Sequence, residues 1–293
     1  MFYTIHNEHL TVKIQEKGAE LWSVQDKDGT EYLWQGNEKY WGDRAPNLFP
    51  YIARMTKGQY KFQEKTYHMD IHGFAKDMTF KAEQISDSHI VFSINDTEET
   101  YLQYPFRFCF SVVYKLEGSK LRISFHVRND DEKTMYFAVG GHPGFNVPFE
   151  KETNFEDYYL EFDSKKGVKR VGFSEDCFVT GELKDFPLEN GVRLPLSHDM
   201  FDDDAIVLSD MATSVTLKSK MGIKKIRVTY PNMSYLGLWH MPKTDASYIC
   251  IEPWTSLPSR KDVVENLELQ PKLVSLESKL EYENEFTIEV IKG

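Results

Sequence analysis

One histidine and one glutamate stand out by their surroundings. In "AVGGHPGFNVPFE" (138–150), His142 sits between Gly140-Gly141 and Pro143-Gly144, a backbone stiff at the proline and costly in chain entropy at the glycines. In "YICIEPWTSLP", Glu252 follows Ile249, Cys250 and Ile251 and precedes Pro253-Trp254. A carboxylate in such company costs free energy to bury without a partner, and burial raises its pKa toward the range of a useful general base. Imidazole titrates near neutrality, so the two groups together could take one proton and give another. The plainer readings are a tight connection for the glycines and a solvent-facing edge-strand position for Glu252. Trp254 reads as core more than as a ring on which a ligand stacks.

Two further stretches carry polar groups on stiff backbone. Arg54 in "NLFPYIARMTKGQY" follows an apolar run and precedes Lys57-Gly58, although a strand-end arginine is commonly just surface. His72 in "YHMDIHGFAKDM" precedes Gly73-Phe74 and by itself reads as a structural or surface histidine. On a strand, His68, Asp70 and His72 would share one face and offer a transition metal two imidazoles and a carboxylate. No third histidine stands at a recognisable spacing, so no metal site is assigned. "MFDDDAIVL" adds three adjacent carboxylates, Asp202, Asp203 and Asp204. A P-loop, a G-x-G-x-x-G after a strand and a G-x-S-x-G elbow are all missing from the sequence, so nucleotide cofactors and serine acyl transfer have no support.

Composition narrows the partners. The formal net charge of −11 counts against nucleic acid, which needs clustered Lys and Arg to release counterions. Cys109, Cys177 and Cys250 are odd in number and far apart, encoding neither a disulfide framework nor a CxxC site, and the natural reading is a reducing cytoplasm. The N-terminus lacks the basic and apolar regions of a standard export signal, and no run of about 18 apolar residues could span a bilayer.

The elements that must position these residues are strands. "LTVKI" (10–14), "ELWSV" (20–24), "HIVFSI" (89–94), "FRFCFSVVYKL" (106–116), "KLRISFHVRN" (120–129) and "FTIEVI" (286–291) alternate with period two. A DG turn in "QDKDGTEYLW" and a glycine turn in "LEGSK" predict hairpins, hence antiparallel neighbours. "NEKYWG" and "RKDVVENLE" could each form a turn or two of helix, too short for βαβ crossovers. The economical architecture is all-β: one large antiparallel β-sandwich domain over residues 1–293, with few short helices.

With "FPYIAR", His72-Gly73-Phe74, "GGHPGFNVP" and "IEPW" in this order, the chain resembles the aldose 1-epimerase (galactose mutarotase) family, most closely its LacX-like bacterial branch. The resemblance implies a β-supersandwich that interconverts the α and β anomers of a free aldose without cofactor or metal. It implies Glu252 as the base at the C1 hydroxyl and His142 as the acid at the ring oxygen. His72 would bond near that oxygen, Arg54 would hold a sugar hydroxyl, and Asp204 would bind substrate, with Asp202 in reserve. The expected partner is a small sugar, and oligomeric state stays open. Two alternatives stand beside this reading. A hexose 6-phosphate substrate would want several cations converging, and only Arg44 and Lys57 lie near Arg54 in sequence. A carbohydrate binder without catalysis could use the same fold. The catalytic reading expects Glu252 and His142 to face each other across a gap about as wide as a pyranose ring.

Overall fold

The computed structural model describes residues 1–165 and 167–292. About 49% of the chain is strand and 8% helix. Alternation accounts for the strands directly. In Phe108–Glu117 the residues Phe108, Phe110, Val112, Tyr114 and Leu116 are buried, and the residues between them are more exposed. Each such burial stabilises by roughly 1.5–3 kcal/mol. The next strand, Lys120–Asn129, returns through a two-residue turn whose Gly118 has φ +61°, and Glu117 pairs with Lys120.

These two strands lie in a nine-stranded antiparallel sheet. Its order is Arg193–Pro195, Tyr158–Phe162, Ser214–Ser219, Lys224–Thr229, Glu281–Lys292, Lys120–Asn129, Phe108–Glu117, His89–Asn95 and Lys81–Ser86. The second large sheet runs Val179–Asp185, Lys169–Phe173, Ile206–Ser209, Tyr235–Trp239, Tyr248–Trp254, Gly140–Gly141 and Asn47–Leu48, with Gly144–Asn146 also paired to Tyr248–Trp254. Aromatic rings fill the space between them. Phe49, just past the edge of the second sheet, stacks on Phe110 of the first with centroids 4.3 Å apart. At Gly141 the sheets approach so closely that a Cβ would stand 2.6 Å from the Phe286 ring.

A three-stranded sheet, Phe2–His6, Leu10–Gln15 and Leu21–Asp26, braces the segment that leads into the second sheet. Glu20, between its last two strands, accepts hydrogen bonds from the backbone N–H groups of Arg44 (2.8 Å) and Ala45 (2.9 Å).

The antiparallel sandwich expected from the alternation is the fold observed. Several local expectations need correcting. "NEKYWG" forms a turn closed by an Asn37–Trp41 bridge, and in "RKDVVENLE" only the last residues enter a short 3-10 turn, Leu267–Leu269. The α-helix among the described residues is Glu98–Gln103, nucleated by a capping box in which Thr97 and Thr100 exchange side-chain to backbone bonds. The DG turn forms, with Gly29 at φ +79°, yet the returning chain makes a single bridge, Gln25–Glu31, in place of a full strand. His68, Asp70 and His72 do not share a strand face, because the strand Lys65–His68 stops and His72 adopts φ +66°. His68 and Asp70 are exposed, and His72 turns inward.

Candidate active site

Glu252 lies on the strand Tyr248–Trp254, whose two neighbours hold it in the sheet interior: Gly237 pairs with Glu252 on one side, and Gly144 pairs with Cys250 on the other. Alternation divides this strand. Ile249 and Ile251 enter the main core, whereas Cys250 and Tyr248 join a small cluster with Trp34 and Ala246 on the side where Glu252 lines a cleft. Glu252 is only 2% exposed, so the edge-strand reading fails.

His142 projects from the adjoining segment. Its backbone N–H donates to Pro46 O (3.0 Å), and Ile251 N–H donates to Pro143 O (3.1 Å), tying the histidine between the braced 44–47 segment and the glutamate strand. The surrounding glycines do not serve as left-handed turns. Gly140–Gly141 and Gly144–Asn146 are extended and paired, and what the glycines supply is room. A Cβ at Gly140 would meet the Trp254 ring at 2.9 Å, and one at Gly144 would meet Trp41 at 2.9 Å.

Nε2 of His142 lies 3.1 Å from Oε2 of Glu252. This is a close approach without hydrogen-bond alignment, and both Glu252 Oε2 and His142 Nδ1 are buried with no hydrogen-bond partner among the described residues. The expected ring-wide gap is therefore corrected: the two groups stand side by side and address a ligand from one side. Burial, helped by the charge of Asp204, raises the Glu252 carboxyl well above its ordinary value, with the nearby Trp254 indole N–H opposing the shift. Burial lowers His142 to about 4. Desolvation thus favours the uncharged pair, with its one proton on the carboxyl.

His72 completes the polar floor, its ring 5.4 Å from that of His142 and edge-on to it. Its backbone N–H donates to Ala53 O (3.0 Å), and its Nδ1 accepts from Ala53 N–H (3.1 Å). With Nδ1 an acceptor, the proton of the neutral ring sits on Nε2. Burial, and after it the charges of His142, Lys76 and Arg54, hold His72 well below the usual imidazole range. The next residue must be glycine: Gly73 has φ +74°, and a Cβ there would lie 2.3 Å from Phe49 O.

The cleft encloses about 600 Å³, within the range of small-molecule sites. Arg54 and Asp203 line it with exposed side chains and Asp204 with a half-buried one, while Asp202 points away and accepts from Lys243 N–H (3.2 Å). Trp254 answers both readings given to it, being 3% exposed in the core with an edge on the cleft. Arg44 does not line the cleft; its guanidinium stacks on Trp22 at 3.8 Å. Several cleft residues escape the sequence reading. Trp41 and Trp239 flank His142 with centroids at 4.9 and 5.8 Å, and Asp43, Lys76 and Cys177 complete the wall. A tryptophan within "NEKYWG" carries no pattern by which to find it.

Known proteins resemble this chain over almost its full length. Protein LacX from Lactococcus lactis subsp. lactis is 34% identical, over 94% of this chain and 95% of its own. A galactose mutarotase related enzyme from Lactobacillus acidophilus superposes with a TM-score of 0.94 at 34% identity, covering 99% of this chain and 97% of that one. A galactose mutarotase-like protein from Lactobacillus casei gives a TM-score of 0.93 at 32% identity, covering 99% and 100%. The aldose 1-epimerase family model matches residues 1–265, and on this evidence together the chain belongs to that family.

Proposed function

We propose that this protein interconverts the α and β anomers of a free aldose. The observation that carries the proposal is the buried His142–Glu252 pair, 3.1 Å apart on the floor of a cleft of about 600 Å³, roomy enough for a monosaccharide. Anomerisation needs a proton taken from the C1 hydroxyl and a proton given to the ring oxygen. Those oxygens share one carbon, so adjoining groups on one side reach both. In the productive state the shared proton is on His142 and Glu252 is a carboxylate. The sugar's own O1–H donates to that carboxylate, with the Trp254 N–H nearby, offsetting the burial that disfavours it in the empty cleft.

Glu252 then takes the O1 proton while His142 gives its proton to the ring oxygen, and the C1–O5 bond opens to the aldehyde. Rotation about C1–C2 presents the other face of the carbonyl, and reversal of both transfers closes the ring. His72, a neutral ring with its proton fixed on Nε2, serves as a hydrogen-bond donor near the ring oxygen, and Arg54 and Asp204 hold hydroxyls. Each well-placed acid or base contributes roughly 10²–10⁴-fold.

An uncharged substrate fits the cleft's balance: Asp43, Asp203, Asp204 and Glu252 face two cations, Arg54 and Lys76, and Lys76 is already paired with Asp77 at 2.7 Å. Such a lining gives a phosphate little net attraction. The test is polarimetry on freshly dissolved α-glucose, α-galactose and the common pentoses. Rotation should decay faster with the protein than in buffer for at least one sugar, and decay at the buffer rate for all of them overturns the reading.

A further inference from the structure

The strand that carries Glu252 carries a second reactive group on the same side. Cys250 stands two residues earlier, fully buried, and the proton transfers proposed above make no use of it. Its Sγ, a ring nitrogen of His142 and a carboxylate oxygen of Glu252 all lie within 4.8 Å of one another. Two of these three side chains hold buried atoms without a hydrogen-bond partner among the described residues, Nδ1 of His142 and Oε2 of Glu252. Glu252 and His142 also line the cleft, so the cluster is reached from solvent through the substrate's own entrance.

We propose that Cys250, His142 and Glu252 bind one zinc-class divalent cation, and that this cation reversibly blocks the acid–base pair. The donor set decides the class of metal. One thiolate, one imidazole and one carboxylate suit a borderline cation such as Zn²⁺, whereas Mg²⁺ and Ca²⁺ seek oxygen ligands alone. Charge favours the same assembly. Burial penalises the thiolate and the carboxylate separately, but Zn²⁺ with one of each and a neutral imidazole is uncharged overall. Binding releases two protons, one from the thiol and one from the shared acid–base pair, so affinity rises with pH.

The donor atoms already stand close to metal-binding separations. Zn–N, Zn–O and Zn–S bonds of about 2.0–2.3 Å place tetrahedral donors roughly 3.3–3.6 Å apart. Nε2 and Oε2 already stand 3.1 Å apart. The fourth position faces the cleft, where water would complete the tetrahedron.

Metal binding goes beyond the anomerase reading, and only its inhibitory consequence rests on that reading. The experiment separates the two by using Co²⁺ as a spectroscopic probe. Titrated into the intact chain, Co²⁺ should give a thiolate-to-cobalt charge-transfer band that saturates at one equivalent and is removed by Zn²⁺. Cys250→Ala should abolish the band, and Cys109→Ala and Cys177→Ala should keep it. No saturable band in the intact chain, or a band that survives Cys250→Ala, overturns the site. If Cys250→Ala does not fold, His142→Asn decides: an unchanged cobalt spectrum overturns the site, and a weakened or shifted one supports it. In the polarimetric assay Zn²⁺ should inhibit the intact chain, with about tenfold more or greater needed for Cys250→Ala. Equal zinc sensitivity overturns the blocking role. Should no sugar be turned over, the cobalt spectrum still decides whether the metal binds.

Discussion

Two carboxylates in this molecule, half-buried Asp26 and buried Glu252, have opposite fates. Asp26 accepts from the backbone N–H groups of Asp28 (2.9 Å) and Thr30 (3.0 Å), from the Tyr32 hydroxyl (2.8 Å) and from Lys224 Nζ (2.7 Å). Burial alone would raise its pKa, but the bonds from Lys224, Tyr32 and Thr30 outweigh burial and lower it. Glu252 is buried more deeply, no cation pairs with it, and the imidazole beside it is kept uncharged by burial. Its pKa rises. Polar groups satisfied all round make Asp26 a clamp between the first sheet's neighbour and the strand Lys224–Thr229. Polar groups left wanting make Glu252 the place where, on the proposed function, a sugar hydroxyl would find its bonding partner.

Substitution should separate the two most widely. Glu252→Gln removes the base and should cut turnover by about 10²–10⁴-fold, as single-turnover or polarimetric rates will show. Its thermal stability should hold or rise. A carboxyl with a raised folded pKa destabilises the fold as pH climbs above the unfolded value of 4.5, and glutamine removes that penalty. Asp26→Asn should do the reverse, leaving turnover within about twofold while costing roughly 1–2 kcal/mol in denaturant unfolding, because half-buried Lys224 loses its closest counter-charge and keeps Asp28 at 3.9 Å. The contribution of Asp26 is present above its unfolded value of 3.8 and lost as pH falls through its lowered folded value. Equal losses of activity in both variants would erase the distinction.

The pH profile sharpens the comparison further. On the proposed function the His142–Glu252 pair works with one proton, so activity should fall when a second proton binds and when the single one leaves. The acid limb should lie near pH 4, where His142 titrates, and the basic limb well above the ordinary carboxylate range. An acid limb near 6.5, the ordinary histidine value, would show that burial does not govern the pair.

Legibility in the sequence follows the same division between satisfied pattern and local exception. Phe108–Glu117 and Lys120–Asn129 are legible because each sets one face in the core, and period two is the imprint of that burial. Lys81–Ser86 and Val179–Asp185, at the sheet edges, bury almost nothing and leave no alternation to read. Asn47–Leu48 and Gly140–Gly141 are too short for any period and exist because neighbouring strands pair with them. Glu98–Gln103 is likewise too short for helical periodicity, and its signal is the Thr97 cap alone. In the cleft, Glu252 and His142 are legible because ionisable groups in apolar or glycine-rich company contradict their surroundings. Trp41, Trp239, Lys76 and Cys177 contradict nothing locally. Only the folded chain brings them to the same wall.

Asp204 stands between the two extremes, and Cys177 is what places it there. Asp204 adopts φ +73°, its Oδ1 accepts from Ala205 N–H (2.9 Å), and its Oδ2 accepts from the Cys177 thiol (2.9 Å). Burial, then the bond to Asp204, pushes the Cys177 thiol up to about 12, so it stays protonated and remains a donor. On the proposed function Cys177 is a positioning residue: its bond fixes the rotamer of a carboxylate whose remaining lone pairs are left for substrate. Losing one modest hydrogen bond of about 1 kcal/mol predicts that Cys177→Ala raises KM about fivefold and leaves kcat nearly unchanged. Cys177→Ser, whose hydroxyl can donate along the same line, should restore most of the lost affinity. A KM that does not move in the alanine variant, or that moves equally in the serine variant, would return Cys177 to the wall as packing and leave Asp204 held by its backbone alone.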